Sequence, residues 1–266
     1  MLRLARIHEF LAQPDDRYVV GSCWLTFCVR DSTVTGTVVW GSPTLDDARQ
    51  FMMVSPLSGS TLATRRPRYL DVRALEGIDQ PAVALIAHFM ASHAAALHEL
   101  VSRAGVVSRS PLGRAIVNGF SALAALPYEV QFFDEPAPAL AWLGASDGNK
   151  LARDVDALCE ESSGSTALVR ELRAYLASHL RDGELASAAS KLGISARGLQ
   201  RKLRDENTTF QRELDQARFK AASRELARSE VTIADVARNV GTSPRNLTSI
   251  FRRLSGESPR RRRQRG

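Results

Sequence analysis

Residues 184–253 carry the same local pattern twice, and that pattern leaves the chain few ways to fold there. The first copy reads ELASAASKLGISARGLQRKLRDEN and the second VTIADVARNVGTSPRNLTSIFRRLSGESP. Each copy has a short apolar stripe, a glycine, a serine two residues later, and a second apolar stripe. In the first, Ala186, Ala189 and Leu192 form the leading stripe and Gly193 supplies a backbone tolerant of positive φ. Ser195 is placed to cap a following helix that carries Leu199 and Leu203 on its buried face. In the second, Thr232 and Asp235 form a capping-box pattern around Ile233, Val236 and Ala237. Gly241 turns the chain, Ser243 caps, Pro244 fits the first helical position, and Leu247, Ile250 and Phe251 face inward. The capping serines 195 and 243 stand 48 positions apart, so this is an internal repeat of a helix-turn-helix unit.

The stretch joining the copies sets their spacing. Residues 209–229 hold Phe210, Leu214, Ala217, Ala221 and Leu226 near helical spacing, with no Pro or Gly to interrupt them. About 20 residues at ~1.5 Å each make a rod of ~30 Å. That is close to the ~34 Å between half-sites one turn apart on B-DNA. Composition agrees with a nucleic-acid partner. Residues 165–266 hold 22 Lys+Arg against 11 Asp+Glu, a net of +11, whereas the preceding residues net −4.

This pattern resembles the AraC-type transcriptional regulators over roughly the last hundred residues. The residues that carry the resemblance are Ser195, Leu199, Arg201, Leu203, the Ile-Ala-Asp-Val-Ala run 233–237, Gly241, Ser243, Phe251, Gly256, Ser258 and Pro259. The chain departs at Thr242 and Leu247, where the family usually has aromatics, and in its run of arginines after Pro259. These departures predict looser packing of the second unit. The resemblance implies an all-α domain that binds promoter DNA, and it implies base contacts from Arg197, Gln200 and Arg201.

The residue types suit that chemistry. Guanine offers O6 and N7, and adenine N6 and N7, to long donors in the major groove. With Leu199 and Leu203 turned inward, Arg197, Gln200, Arg201 and Arg204 fall on or near the opposite side of their helix, Arg204 as either a phosphate contact or an ordinary solvated residue. In the second unit Arg245, Asn246 and Ser249 face outward, the first two in the turn that docks deepest. Arg252, Arg253 and the run 260–263 are placed to neutralise phosphates.

The first half alternates strand-like and helix-like stretches. Residues 18–29 read as one strand, a turn at 30–32 follows, and residues 33–40 form its hairpin partner. Ser42 and Pro43 read as the cap and start of a helix through Leu45, Ala48, Phe51 and Met52. Residues 68–75 are the next strand, and residues 79–104 a long amphipathic helix. A brief strand at 105–107, a helix from Ser110–Pro111, a strand at 128–133 and a helix capped by Asp134 complete the series, which Gly144 ends. Such an order implies a mixed sheet with helices packed on it, an α+β or α/β domain. The order over roughly residues 18–143, with Leu70–Asp71 and Gly77–Ile78–Asp79 before the long helix, also resembles the STAS domain of anti-sigma-factor antagonists. Phosphorylatable members have a serine after the equivalent of Asp79. Here Gln80 and Pro81 follow, which excludes a phosphoryl switch at that point.

These readings divide the chain into an N-terminal segment (1–16) that is a short helix or a frayed end, a STAS-like regulatory domain (17–144), a linker (145–164) and a DNA-binding domain (165–266). The linker carries Leu151, Val155 and Leu158 at helical spacing, for a dimer-forming helix or one docked on either domain. Cys23, Cys28 and Cys159 have no metal-ligand spacing and read as buried thiols in a reducing cytoplasm. No signal peptide and no apolar run near ~20 residues is apparent. His88, His93 and His98, five apart, fall on different sides of a helix. With no phosphate loop and no nucleophile elbow, the expectation is no enzyme, no catalytic residue, no cofactor and no metal.

The function expected is a bacterial-type, cytoplasmic and nucleoid-associated transcriptional regulator that binds double-stranded promoter DNA sequence-specifically. Its N-terminal domain modulates it by binding a small-molecule effector, a protein or its own twin, and RNA polymerase and a homodimer are among the expected partners of the whole protein. The alternative is a partner-switching interaction module whose basic domain is only an accessory tether.

Overall fold

The β-branched and aromatic residues cluster in the first half of the chain, and among the described residues strands appear there only. A computed structural model describes residues 2–31, 34–55, 65–123, 128–228 and 231–263. The chain divides into two compact units, Met1–Arg170 and Glu171–Gly266.

The first unit holds a seven-stranded sheet whose strands lie in chain order. They are β1 (Arg3–Leu4), β2 (Arg17–Val20), β3 (Trp24–Cys28), β4 (Thr35–Gly41), β5 (Arg66–Leu75), β6 (Val101–Val107) and β7 (Glu129–Phe133). Strands β2, β3 and β4 pair antiparallel, while β1–β2 and the run β4–β5–β6–β7 pair parallel. Parallel neighbours need crossovers. These are α1 (Ile7–Ala12), α2 (Leu45–Val54), the pair α3 (Gln80–Ser92) and α4 (Ala94–Leu100), and α5 (Pro111–Leu123). Two more helices, α6 (Pro136–Trp142) and α7 (Gly148–Ser163), follow the last strand. The mixed sheet with helices packed on it is as expected.

Period-2 alternation on β5 sorts the two faces. Val72, with Val106 of β6, packs against Val117 of α5. On the other face Tyr69 joins a core with Leu140, Leu143, Val155 and Cys159 of the α6–α7 region. There Arg73 Nη2 bonds Asp71 Oδ2 at 2.7 Å and Asp156 Oδ1 on α7 at 3.0 Å.

Several boundaries differ from the sequence reading, each for a local reason. The run 18–29 is two strands, because the chain reverses at Gly21, where a Cβ would lie 2.4 Å from the Trp24 indole. Of the following turn and strand start, Ser32 and Thr33 lie outside the described residues. Thr44, not Ser42, caps α2, since its hydroxyl accepts the Asp47 N–H at 3.3 Å and Asp47 closes the box on Thr44 N at 2.8 Å. The long helix of 79–104 breaks at His93, whose ring bonds Phe89 O at 2.8 Å, and the two pieces bend by 70°. Val101 and Ala104 leave helical spacing to pair with Arg66 and Arg68 in the sheet. Glu135 rather than Asp134 precedes α6, and Asp134 accepts from Arg114 at 2.8 Å.

Residues 145–164 are no linker. Asp147 caps α7 through the Lys150 N–H at 2.8 Å, Val155 and Cys159 are buried in the first unit's core, and Asp156 bonds Arg73. The helix is docked, and its polar sequence reflects only its outer side. The N-terminal segment, too, is ordered as β1 and α1.

The second unit begins within α8 (Ala167–Ser178) and continues through α9 (Leu185–Lys191), α10 (Ala196–Asp205), α11 (Phe210–Arg228), α12 (Ile233–Asn239), α13 (Pro244–Ser255) and α14 (Pro259–Arg263). Its described residues are all-α, with both expected helix-turn-helix units. Ala222 and Leu226 of α11 meet Val236, Ala237, Val240, Leu247 and Phe251 in one cluster, with Phe219 edge-on to Phe251 at 4.7 Å. The second unit is therefore not loosely packed. Leu247 is fully buried, and Thr242 accepts a 2.8 Å bond from Asn246 Nδ2.

Candidate nucleic-acid interface

Each helix pair is held by the features its sequence contains. Ser195 accepts the Gly198 N–H at 3.1 Å to start α10, Ser243 the Asn246 N–H at 3.2 Å to start α13, and Thr232 the Asp235 N–H at 3.1 Å to start α12. Gly193 and Gly241 take φ of 69° and 70°, the left-handed region that a Cβ disfavours. Only one of the two sites is crowded. A Cβ on Gly241 would lie 2.3 Å from Arg181 Cα, whereas at Gly193 nothing lies within 4 Å. On α9 the buried pair is Ala188 and Ala189, while Ala186 is exposed. Those two lie four and three residues before buried Leu192 and share its side of the helix.

On α10, Leu199 and Leu203 are buried and Arg197, Gln200, Arg201 and Arg204 are exposed. The four polar side chains stand at positions i, i+3, i+4 and i+7 and so share one broad face. Arg204 Nε makes only a long 3.5 Å contact to Gln200 O. On α13, Leu247, Ile250 and Phe251 are buried, and Arg245, Asn246, Ser249, Arg252 and Arg253 are exposed. Each second helix thus presents a stripe of long donors on the side away from its core, with N-terminal donors in the first turn of α13.

Two of the basic groups are less free than the sequence suggests. Arg253 is ion-paired to Asp215 on α11. The arginines after Pro259 are not a loose tail: Pro259 is buried, residues 259–263 form α14, and Arg263 donates to Val231 O. Arg260, Arg261 and Arg262 remain exposed.

Sequence reasoning missed the polar interior of α11. Glu213 is buried and accepts from Arg173 at 2.8 Å and Thr208 at 2.6 Å. Asp215 accepts from Gln211 at 2.9 Å as well as from Arg253. Arg218 donates through Nε to Leu180 O at 3.2 Å and to Val240 O at 3.1 Å, the last being the C-cap of α12. Burial draws its pKa down from the usual arginine range. The signal available was the run Glu213–Leu214–Asp215, charges flanking an apolar-stripe position. A helix packed on both sides buries such charges only when each finds a partner.

Two serine-capped second helices, α10 and α13, joined through the common connector α11, define the class: a helix-turn-helix domain in duplicate. Residues 188–265 match the family model described as a helix-turn-helix domain, and this region is of the AraC type. A domain of this kind is that of a DNA-binding transcriptional regulator. No curated protein matches the chain. Among solved structures, a DNA-binding transcriptional dual regulator from Escherichia coli K-12 is similar at 25% identity, covering 37% of this chain and 97% of its own, TM-score 0.36. The C-terminal domain of AraT, a response regulator from Geobacillus stearothermophilus, is similar at 28% identity, with 38% and 87% covered and TM-score 0.34. A SpoIIAA-like-fold protein of the DUF3478 family from Shewanella loihica PV-4 is similar at 20% identity, with 44% and 90% covered and TM-score 0.34. Among the described residues no single helix is long and apolar enough to cross a membrane.

Proposed function

We propose that the chain is a sequence-specific regulator that reads promoter DNA with α10 and α13 in successive major grooves, and that its first unit modulates this by binding an effector or a protein. The observation that carries the reading is the α10 face, where Arg201 is exposed opposite buried Leu199 and Leu203, with Arg197 and Gln200 exposed to one side of it. Arg is suited to guanine and Gln to adenine. Arg245 and Asn246 do the same work at the second half-site, with Ser249 beside them. Arg204, Arg252 and the exposed arginines of α14 hold phosphates and fix register. The 19 residues of α11 span about 29 Å at ~1.5 Å each, which suits half-sites one turn apart. Such a protein works in the cytoplasm on the nucleoid and performs no catalysis.

Selection of bound fragments from the source genome, followed by footprinting, tests the proposal. Two protected patches about ten base pairs apart are expected. Fragments that bind no better than bulk DNA would overturn sequence-specific reading.

A further inference from the structure

Between the sheet and helices α2, α3, α4 and α5 of the first unit lies a cavity of 270 Å³. Its walls are apolar: Leu70, Val72 and Val106 from the sheet, and Ile86, Phe89 and Val117 from the helices. Most polar groups that reach it already have partners. Thr26 and Thr37 bond each other at 3.2 Å, Ser121 donates to Val117 O at 2.9 Å, and Asp47 is taken up by Thr44 at 2.6 Å and by Ser22.

Two do not. Arg68 on β5 and Tyr128 just before β7 line the cavity, and neither side chain has a hydrogen bond or ion pair among the described residues. The contrast with Arg66, two positions earlier, is direct, since its Nη1 bonds Asp15 Oδ1 at 3.0 Å. Arg68 and Tyr128 are electrostatically coupled to each other. Burial draws the Arg68 guanidinium down to about 10, which leaves it charged at neutral pH. The described residues leave this half-buried cation without a counter-charge, and the apolar chamber beside it accepts the body of whatever supplies that charge.

We propose that this cavity binds an apolar monocarboxylate, with the carboxylate oxygens on the Arg68 guanidinium and the Tyr128 hydroxyl and the hydrocarbon body against the Val72–Val106–Val117 wall. Size follows from volume. An apolar cavity of ~150 Å³ takes benzene, so 270 Å³ takes about ten non-hydrogen atoms, the size of an eight-carbon acid. Use of this ligand as the effector rests on the regulatory reading above, but binding itself does not.

Titration calorimetry on the full chain, without DNA, tests it with octanoate, octanol and octylammonium as probes. Octanoate is expected to bind saturably at one per chain, roughly tenfold or more tighter than octanol, with octylammonium showing no binding. Arg68→Gln is expected to remove that preference while leaving the octanol response unchanged. Tyr128→Phe, which keeps the ring, is expected to weaken octanoate several-fold. Octanoate failing to bind at about millimolar concentration, octanol binding equally well, or both variants binding octanoate like the parent would overturn the proposal. Because no DNA enters the measurement, its failure and a failure to read promoter DNA are separate results.

Discussion

At the scale of single residues, Arg201 is the sharpest case, because it is exposed on α10 opposite buried Leu199 and Leu203. Arg201→Ala should cost ~1–3 kcal/mol of preference for the cognate site and leave the thermal midpoint unchanged. A competition band-shift beside a melting curve checks both. The two turn glycines should respond unequally, although their φ values agree. Gly193→Ala meets open space and should cost about 1–2 kcal/mol for the left-handed backbone alone. Gly241→Ala adds a clash with the Arg181 backbone, so denaturant unfolding should show a clearly larger loss. Cys23 and Cys159 carry a pH prediction. Burial pushes both thiols up to about 12, so the folded state keeps protons that the unfolded chain gives up near ~8.5. Their stabilising effect is intact below that pH and is lost as pH climbs towards about 12. In the native chain at pH 8 neither should react with a thiol reagent, whereas both should in denaturant.

At the scale of elements, the helix-turn-helix units were legible because their signals are local. A serine, a glycine or a proline at a fixed offset acts through one or two hydrogen bonds, and Ser195, Thr232 and Ser243 all cap as read. Elements set by distant partners were not legible. Val101 continues the helical stripe of α3 but pairs with Arg66 in the sheet, which no window of sequence reveals. Likewise α7 looks like a connector because its outer side is polar, while Val155, Asp156 and Cys159 bind it to β5 and the core. A fragment ending at 146 should therefore be protease-sensitive and lack a cooperative melt, whereas one ending at 166 should fold. Equal protease resistance of the two would show that α7 is dispensable. The candidate interface was readable as a list of side chains. The buried Glu213 and the ion pairing of Arg253 to Asp215 were not, because they depend on which faces of α11 are covered.

At the scale of the whole chain, residues 165–266 carry net +11 and the remainder −4. DNA affinity should fall steeply with salt, since each neutralised phosphate contributes about −0.9 to the slope of log K on log salt. Arg252→Ala and Arg260→Ala should each flatten that slope by about one without altering which sequence is preferred. A titration series at several ionic strengths reads this directly. The link made by Arg218 has a further consequence. One guanidinium on α11 holds the C-cap carbonyl of α12 and the carbonyl of Leu180 together, so the rear helix-turn-helix is latched to chain that precedes both α10 and α13. An engineer who grafts residues 231–263 onto another scaffold leaves the latch behind, and the portable module has to start before Leu180.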